Sequence, residues 1–208
     1  LLSVTDRDAP FIASPERLSA AAIRECGRRG YSGVLLDFEQ SPTPDRLAFA
    51  ETLARRLAPR PVYVPESYAA ASGTVSLVCT AVSGGSFLQY LQGAAAERAG
   101  AGKLALDVQR LRMDFTLPAR SGEGRPLSPS EFQALLDQES PSVFFSQDLC
   151  ARYFTYTREG ETHFVLFDDA DTLQQKLQTG TRIGFSAAFL MYPEVRDLLP
   201  RLFPARRT

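Results

Sequence analysis

The chain has 208 residues, 44% of them hydrophobic and 23% charged, and carries a net charge of −1. That length fits one globular domain, and the near-neutral balance excludes the broad basic field that non-specific nucleic-acid binding requires. No apolar run approaches the roughly 18 residues of a membrane span. A single histidine, His163, excludes a metal centre built on histidine pairs. The cysteines, Cys26, Cys79 and Cys150, are odd in number and widely spaced, which argues against a disulfide framework or a zinc site and reads as small buried apolar residues. Any chemistry falls to carboxylates, hydroxyls or backbone groups, with no metal and no cofactor.

In chain order, short apolar runs alternate with segments of helical period, the pattern of a parallel α/β architecture. Leu1 to Thr5 reads as a strand. The chain begins inside this strand without an initiator methionine, which predicts residues missing upstream. Ser14-Pro15-Glu16 opens a helix with Leu18, Ala21, Ala22, Ile23 and Cys26 on its apolar face, closed by Gly30. Gly33 to Phe38 is a buried strand running into Glu39. Thr43-Pro44-Asp45 starts a second helix, through about Leu57, which Pro59 and Pro61 stop. Pro61 to Pro65 and Thr74 to Ala81 are the next strands, and Ser83-Gly84-Gly85 turns into a helix over Phe87 to Arg98.

Lys103 to Phe115 reads as one long strand or a bent pair, and Arg120 to Arg125 as a polar loop. Ser128-Pro129-Ser130-Glu131 has the spacing of a capping box for a helix through Leu136. Arg152 to Tyr156 and His163 to Phe167, joined by Thr157 to Glu161, form an antiparallel hairpin. A helix over Ala170 to Arg182 and a last strand, Ala187 to Tyr192, complete the chain.

Ligands of parallel α/β folds bind at the carboxyl ends of the strands. Acids recur at those positions: Asp6 and Asp8, Asp37 and Glu39, Glu66, Asp114, Asp168 and Asp169, then Tyr192 and Glu194. Asp37 and Glu39 stand two residues apart, so on a strand they share a face. Two readings follow. Either the pair is coupled, one carboxyl held protonated as a general acid, or Asp37 merely ends the strand and Glu39 is solvated. Asp168-Asp169 before a helix reads as a cap. His163 reads as structural, and Ser83-Gly84-Gly85 as a turn. Arg152, Tyr153, Phe154 and Tyr156 offer either a sugar-stacking face or ordinary core packing.

The segment Tyr31-Ser32-Gly33-Val34-Leu35-Leu36-Asp37-Phe38-Glu39 resembles the fourth-strand motif D-G-x-D-x-D-x-E of family 18 glycoside hydrolases, chitinase-like (β/α)8 barrels. Phe164 to Asp169, Thr172, Leu173, Lys176, Gly184 and the final strand extend the likeness. The resemblance implies a TIM-type (β/α) barrel, N-terminally incomplete because Leu1 to Thr5 matches a third strand. It also implies a single domain over 1–208 with a small α+β insertion, the hairpin, at about 120–168. By the same resemblance Glu39 is the general acid and Asp37 orients the substrate acetamido group, whose carbonyl attacks the anomeric carbon, so no protein nucleophile is needed. Tyr192, Glu66 and Asp114 would line the cleft.

Ser32 and Leu35 replace the motif's first two aspartates, and Val78 to Val82 carries no counterpart of the family's sixth-strand tyrosine. The expected function is substrate-assisted retaining hydrolysis of an N-acetylglucosamine polymer, chitin-type or peptidoglycan. Catalytically inactive glycan binding, or an unrelated (β/α) protein, are the alternatives. The expected partner is an oligosaccharide or polysaccharide, with no nucleic acid and no membrane span. The expected state is soluble, secreted or associated with a cell envelope or spore if an upstream signal has been removed.

Overall fold

The computed structural model describes residues 1–8, 12–98, 103–119 and 124–204. Chain order runs β1 (Leu2–Thr5), α1 (Pro15–Arg28), β2 (Val34–Asp37), α2 (Pro44–Leu57), β3 (Val62–Val64), a 3-10 turn at Glu66–Tyr68, β4 (Val75–Cys79), α3 (Phe87–Glu97) and β5 (Leu104–Val108). Then come β6 (Arg112–Leu117), β7 (Arg125–Pro126), α4 (Pro129–Glu139), β8 (Phe144–Ser146), β9 (Ala151–Arg158) and β10 (Glu161–Phe167). Last are α5 (Ala170–Ile183), β11 (Ala187–Leu190), α6 (Tyr192–Val195) and α7 (Leu199–Leu202). The strands form a six-stranded sheet, in order β1-β2-β3-β4-β5-β11, and a five-stranded antiparallel sheet, β7-β6-β10-β9-β8. This is the architecture of an incomplete TIM-type (β/α) barrel with an α+β insertion before its last strand. The residues group into two compact units, one comprising Leu1–Val78, Ala94–Leu106 and Gly184–Ala187, the other Cys79–Gly93, Asp107–Ile183 and Ala188–Thr208.

In the first unit, β1 pairs in parallel with β2, β2 with β3 and β3 with β4. Prolines at the first turns of α1 and α2 preset the helical φ where no amide partner is needed. The core joins Val34, Leu36, Val62 and Val64 of the sheet to Ala22 and Cys26 of α1 and Phe49, Leu53 and Leu57 of α2. Leu18 and Ala21, expected on the buried face of α1, are exposed; Ser19, Ala22 and Cys26 are buried instead. At about 100° per residue, Leu18 lies one step off that stripe. Gly33 is obligatory at the start of β2, because a Cβ there would lie 2.6 Å from the Pro61 carbonyl oxygen.

The second unit holds the antiparallel sheet. Lys103 to Phe115 is divided between two sheets, β5 in one and β6 in the other. The hairpin expected alone is the centre of a five-stranded sheet, and its turn shrinks to Glu159-Gly160, with φ 54° and 83°, as a two-residue loop requires. Residues 120–123 of the expected polar loop lie outside the described residues, while Arg125 and Pro126 form β7 against β6. Helix α4 covers one face of the sheet through Phe132, Leu135 and Leu136 on Phe154, Tyr156, Val165 and Phe167. Its capping box is complete: Glu131 N donates to Ser128 Oγ at 3.2 Å and Ser128 N to Glu131 Oε2 at 2.8 Å.

Helix α5 buries a cation. Lys176 is fully buried and donates from Nζ to Asp168 Oδ2 at 2.8 Å and to the Thr80 carbonyl at 3.1 Å, with the Phe87 ring 5.7 Å away. Asp168 also accepts from Leu111 N at 3.0 Å and Thr172 Oγ1 at 2.8 Å. Each charge is tolerated only because the other neutralises it. Lys176→Met is expected to destabilise the protein by about 3–5 kcal/mol in urea unfolding, with partial recovery in Lys176→Met/Asp168→Asn, whose amide leaves no unpaired charge.

The hydrogen bonds from Ser128, aided by Arg125, hold the Glu131 carboxyl down at about 2, from an ordinary 4.5. For a depressed acid the stabilisation is present above the ordinary value and is lost as pH falls towards about 2. A carbon-detected NMR titration should place the Glu131 midpoint there, and Ser128→Ala should move it up.

Candidate active site

In the first unit, the parallel register sets Thr5 opposite Asp37, so β1 and β2 leave the sheet at one edge. The residues just beyond are knitted together by a buried ion pair. Asp6, buried after β1, faces Arg46 Nε of α2 at 3.0 Å, and Arg46 is equally buried. The other Asp6 oxygen accepts from the backbone amide of Glu39 at 2.9 Å. Gln40 Nε2 donates to the Asp6 carbonyl at 2.8 Å, Arg46 Nη2 to Gln40 Oε1 at 2.7 Å, and the Tyr68 hydroxyl to the Gln40 carbonyl at 2.8 Å. Phe38 turns inward, its ring 5.3 Å from that of Tyr68 and 6.2 Å from that of Phe49. Asp37 and Glu39 on either side of it are exposed.

Glu39 is not simply solvated. Arg7 Nη2 donates to Glu39 Oε1 at 2.7 Å, with the side chains 69% and 54% exposed. Glu39, and more weakly Asp37, raise the Arg7 guanidinium above its ordinary value. The two acids therefore share the field of one cation, a neighbour that strand spacing could not show.

The remaining residues read from the sequence lie elsewhere. Glu66 is exposed in the 3-10 turn after β3, and its charge acts on Arg98, whose guanidinium burial pulls down. Asp114, read as a strand-end acid, is buried in β6 of the antiparallel sheet. It accepts from the Tyr156 hydroxyl at 2.9 Å and lies 3.1 Å from His163 Nδ1, with the Tyr156 and His163 rings stacked at 4.5 Å. Burial, then the Asp114 bond, pushes the Tyr156 hydroxyl up to about 12. Tyr192, read as the end of the last strand, opens α6 and is 59% exposed. Asp169 caps α5 through Thr172, as read, whereas Asp168 is the partner of Lys176. Asp37, Glu39 and Glu66 belong to the first unit, Asp114 and Tyr192 to the second.

The residues that the sequence reading passed over are Arg46, Arg7 and Gln40. A signal existed for Arg46: it stands in the buried stripe with Phe49, Ala50 and Leu53, and a cation at a core position of an amphipathic helix requires a buried acid. Lys176 has the same signature beside Thr172, Leu173 and Thr179. Among the described residues no group of three or more His, Cys, Asp or Glu side chains could hold a metal ion.

No family model and no curated protein matches the chain by sequence. Solved structures do match. The Bacillus subtilis protein ydhD, assigned as a sporulation-specific glycosylase, superposes with a TM-score of 0.64 over 90% of this chain and 78% of its own, at 15% identity. The family GH18 chitinase from Cycas revoluta, in complex with allosamidin, gives 0.59 over 90% and 71%, at 15% identity. The Bacillus cereus spore cortex-lytic enzyme SleL gives 0.60 over 97% of this chain and 58% of its own, at 19% identity. The fold is that of family 18 glycoside hydrolases. An unrelated (β/α) architecture is thereby excluded. Within the family 18-like fold, Asp37 and Glu39 leave the carboxyl end of a parallel strand, and the Asp6–Arg46 pair supports the backbone that carries them.

Arg46→Met should strand the Asp6 charge, costing about 3–5 kcal/mol in chemical denaturation. It should also raise the hydrogen-exchange rate of the Glu39 amide more than that of Val34 in mid-sheet.

Proposed function

We propose that this protein is a glycoside hydrolase acting on N-acetylglucosamine polymers, chitin-type or peptidoglycan, by substrate-assisted retention. The observation that carries the reading is the exposed Asp37-x-Glu39 pair at the carboxyl end of β2 in a family 18-like fold. Glu39 donates its proton to the glycosidic oxygen. Asp37 orients the C2 acetamido group, whose carbonyl oxygen bonds to the anomeric carbon as the leaving group departs, and water then opens the cyclic intermediate while Glu39 takes the proton back. Glu66, exposed in the same unit, and separately the exposed Tyr192 of the second unit are proposed as glycan contacts; Asp114, buried under Tyr156 and His163, is not. Spore cortex-lytic and chitinase neighbours support an oligosaccharide or polysaccharide as the partner, and the proposed location is secreted or associated with a cell envelope or spore. Among the described residues no helix is long and apolar enough to cross a membrane.

One observation favours a second reading, a glycan-binding barrel without turnover. Arg7 occupies Glu39 Oε1 at 2.7 Å, so presenting Glu39 to a glycosidic oxygen requires that ion pair to open. Ser32 and Leu35 in place of acids and the missing tyrosine point the same way. Exposed ion pairs are weak, and an incoming glycan can displace Arg7. Turnover of a chromogenic N-acetylglucosamine oligomer decides between the readings. Glu39→Gln is expected to reduce it by about 10²–10⁴-fold while leaving oligomer affinity unchanged. Unchanged turnover in that variant would remove Glu39 from the mechanism, and binding without turnover in the unaltered protein would establish the second reading.

A further inference from the structure

In the second unit a cavity of about 510 Å³ is lined by Arg110, Arg112, Phe132, Glu194, Arg196 and Asp197, with prolines at its rim. Its charges are unevenly matched. Arg110 is fully engaged: Nη1 donates to Asp197 Oδ1 at 2.7 Å and to the Glu194 carbonyl at 2.9 Å, and Nε to the Asp168 carbonyl at 3.4 Å. Glu194 is turned onto the Arg110 backbone amide at 3.3 Å. Arg112 is different. It is half-buried on β6, its Nε is sealed from solvent without a hydrogen-bond partner, and its side chain makes no ion pair among the described residues. Burial, then repulsion from Arg110, pulls its guanidinium below the ordinary value, and the Glu194 and Asp197 carboxylates offset this only in part. Arg196 on the same wall is exposed and without a partner among the described residues. Among the described residues three arginines thus face two carboxylates, and the guanidinium left over is the half-buried one.

A partly desolvated guanidinium with no anion beside it is left uncompensated until one binds. The planar guanidinium fork matches a carboxylate, and the half-buried Phe132 ring with the prolines offers an apolar wall of the kind on which a pyranose ring packs. We propose that this cavity is a binding site for a carboxylate-bearing sugar, the carboxylate paired with Arg112 and steered by Arg196. The sugar body rests on the glycan reading above, whereas the oxyanion rests on the cavity alone.

N-acetylmuramate and N-acetylglucosamine differ by one lactyl carboxylate and make a matched pair of probes. In isothermal titration with the full chain, N-acetylmuramate should bind saturably at least about tenfold more tightly than N-acetylglucosamine. Arg112→Gln should abolish that preference and leave the melting temperature unchanged or higher, since it removes an unpaired, half-buried cation. Arg196→Gln, at an exposed position, should weaken N-acetylmuramate several-fold. Arg112→Gln should leave turnover of N-acetylglucosamine oligomers unchanged, which keeps this site separable from their hydrolysis. Equal affinity for the two sugars, an undiminished preference in Arg112→Gln, or inorganic phosphate binding as tightly as N-acetylmuramate would each overturn the proposal.

Discussion

The edge of the first unit depends on the ion pair between Asp6 and Arg46. A carboxylate sealed beneath the surface survives in charged form only beside a cation, and Arg46 reaches it from a helix that begins more than thirty residues later in the chain. Once neutralised, Asp6 has an oxygen left to accept the Glu39 amide, and its own carbonyl takes the Gln40 side chain. Gln40 in turn is gripped by Arg46 and Tyr68. The backbone that follows β2 is thus fixed by hydrogen bonds from beneath, while the Glu39 side chain stays at the surface. For a group meant to meet a ligand, a rigid backbone and an accessible side chain are the useful combination.

The same device appears in the second unit. Asp168 at the exit of β10 and Lys176 on the helix that follows repeat the logic of a strand-end acid satisfied by a cation on a buried helical stripe. In both cases the acid also accepts a backbone amide, Glu39 in one and Leu111 in the other. Each pair thereby converts a long-range contact into a fixed position for a loop that no regular ladder holds. Both of these acids are buried, whereas Asp37 and Glu39 are exposed.

Arg7 gives the exposed pair a double character. As a surface cation it lies in the field of two neighbouring carboxylates, and as an ion-pair partner it occupies a Glu39 oxygen that a ligand would have to reach. A ligand that displaces Arg7 would release Glu39 and leave Asp37 as its nearest charged companion on the strand.

The sequence by itself determined the alternation of strands and helices, the proline-led helix starts, the Ser128–Glu131 capping box and the Asp37-x-Glu39 edge. These are set by neighbours a few residues apart, through φ restriction, capping and the two-residue period of a strand. Only the tertiary structure decided that Lys103 to Phe115 serves two sheets, that Asp114 is buried under Tyr156 and His163, and that Tyr192 opens a helix. It alone paired Glu39 with Arg7 and left the Arg112 Nε without an acceptor among the described residues. The physical reason is the same in each case: burial and charge pairing depend on residues dozens of positions away, and local pattern carries no term for them.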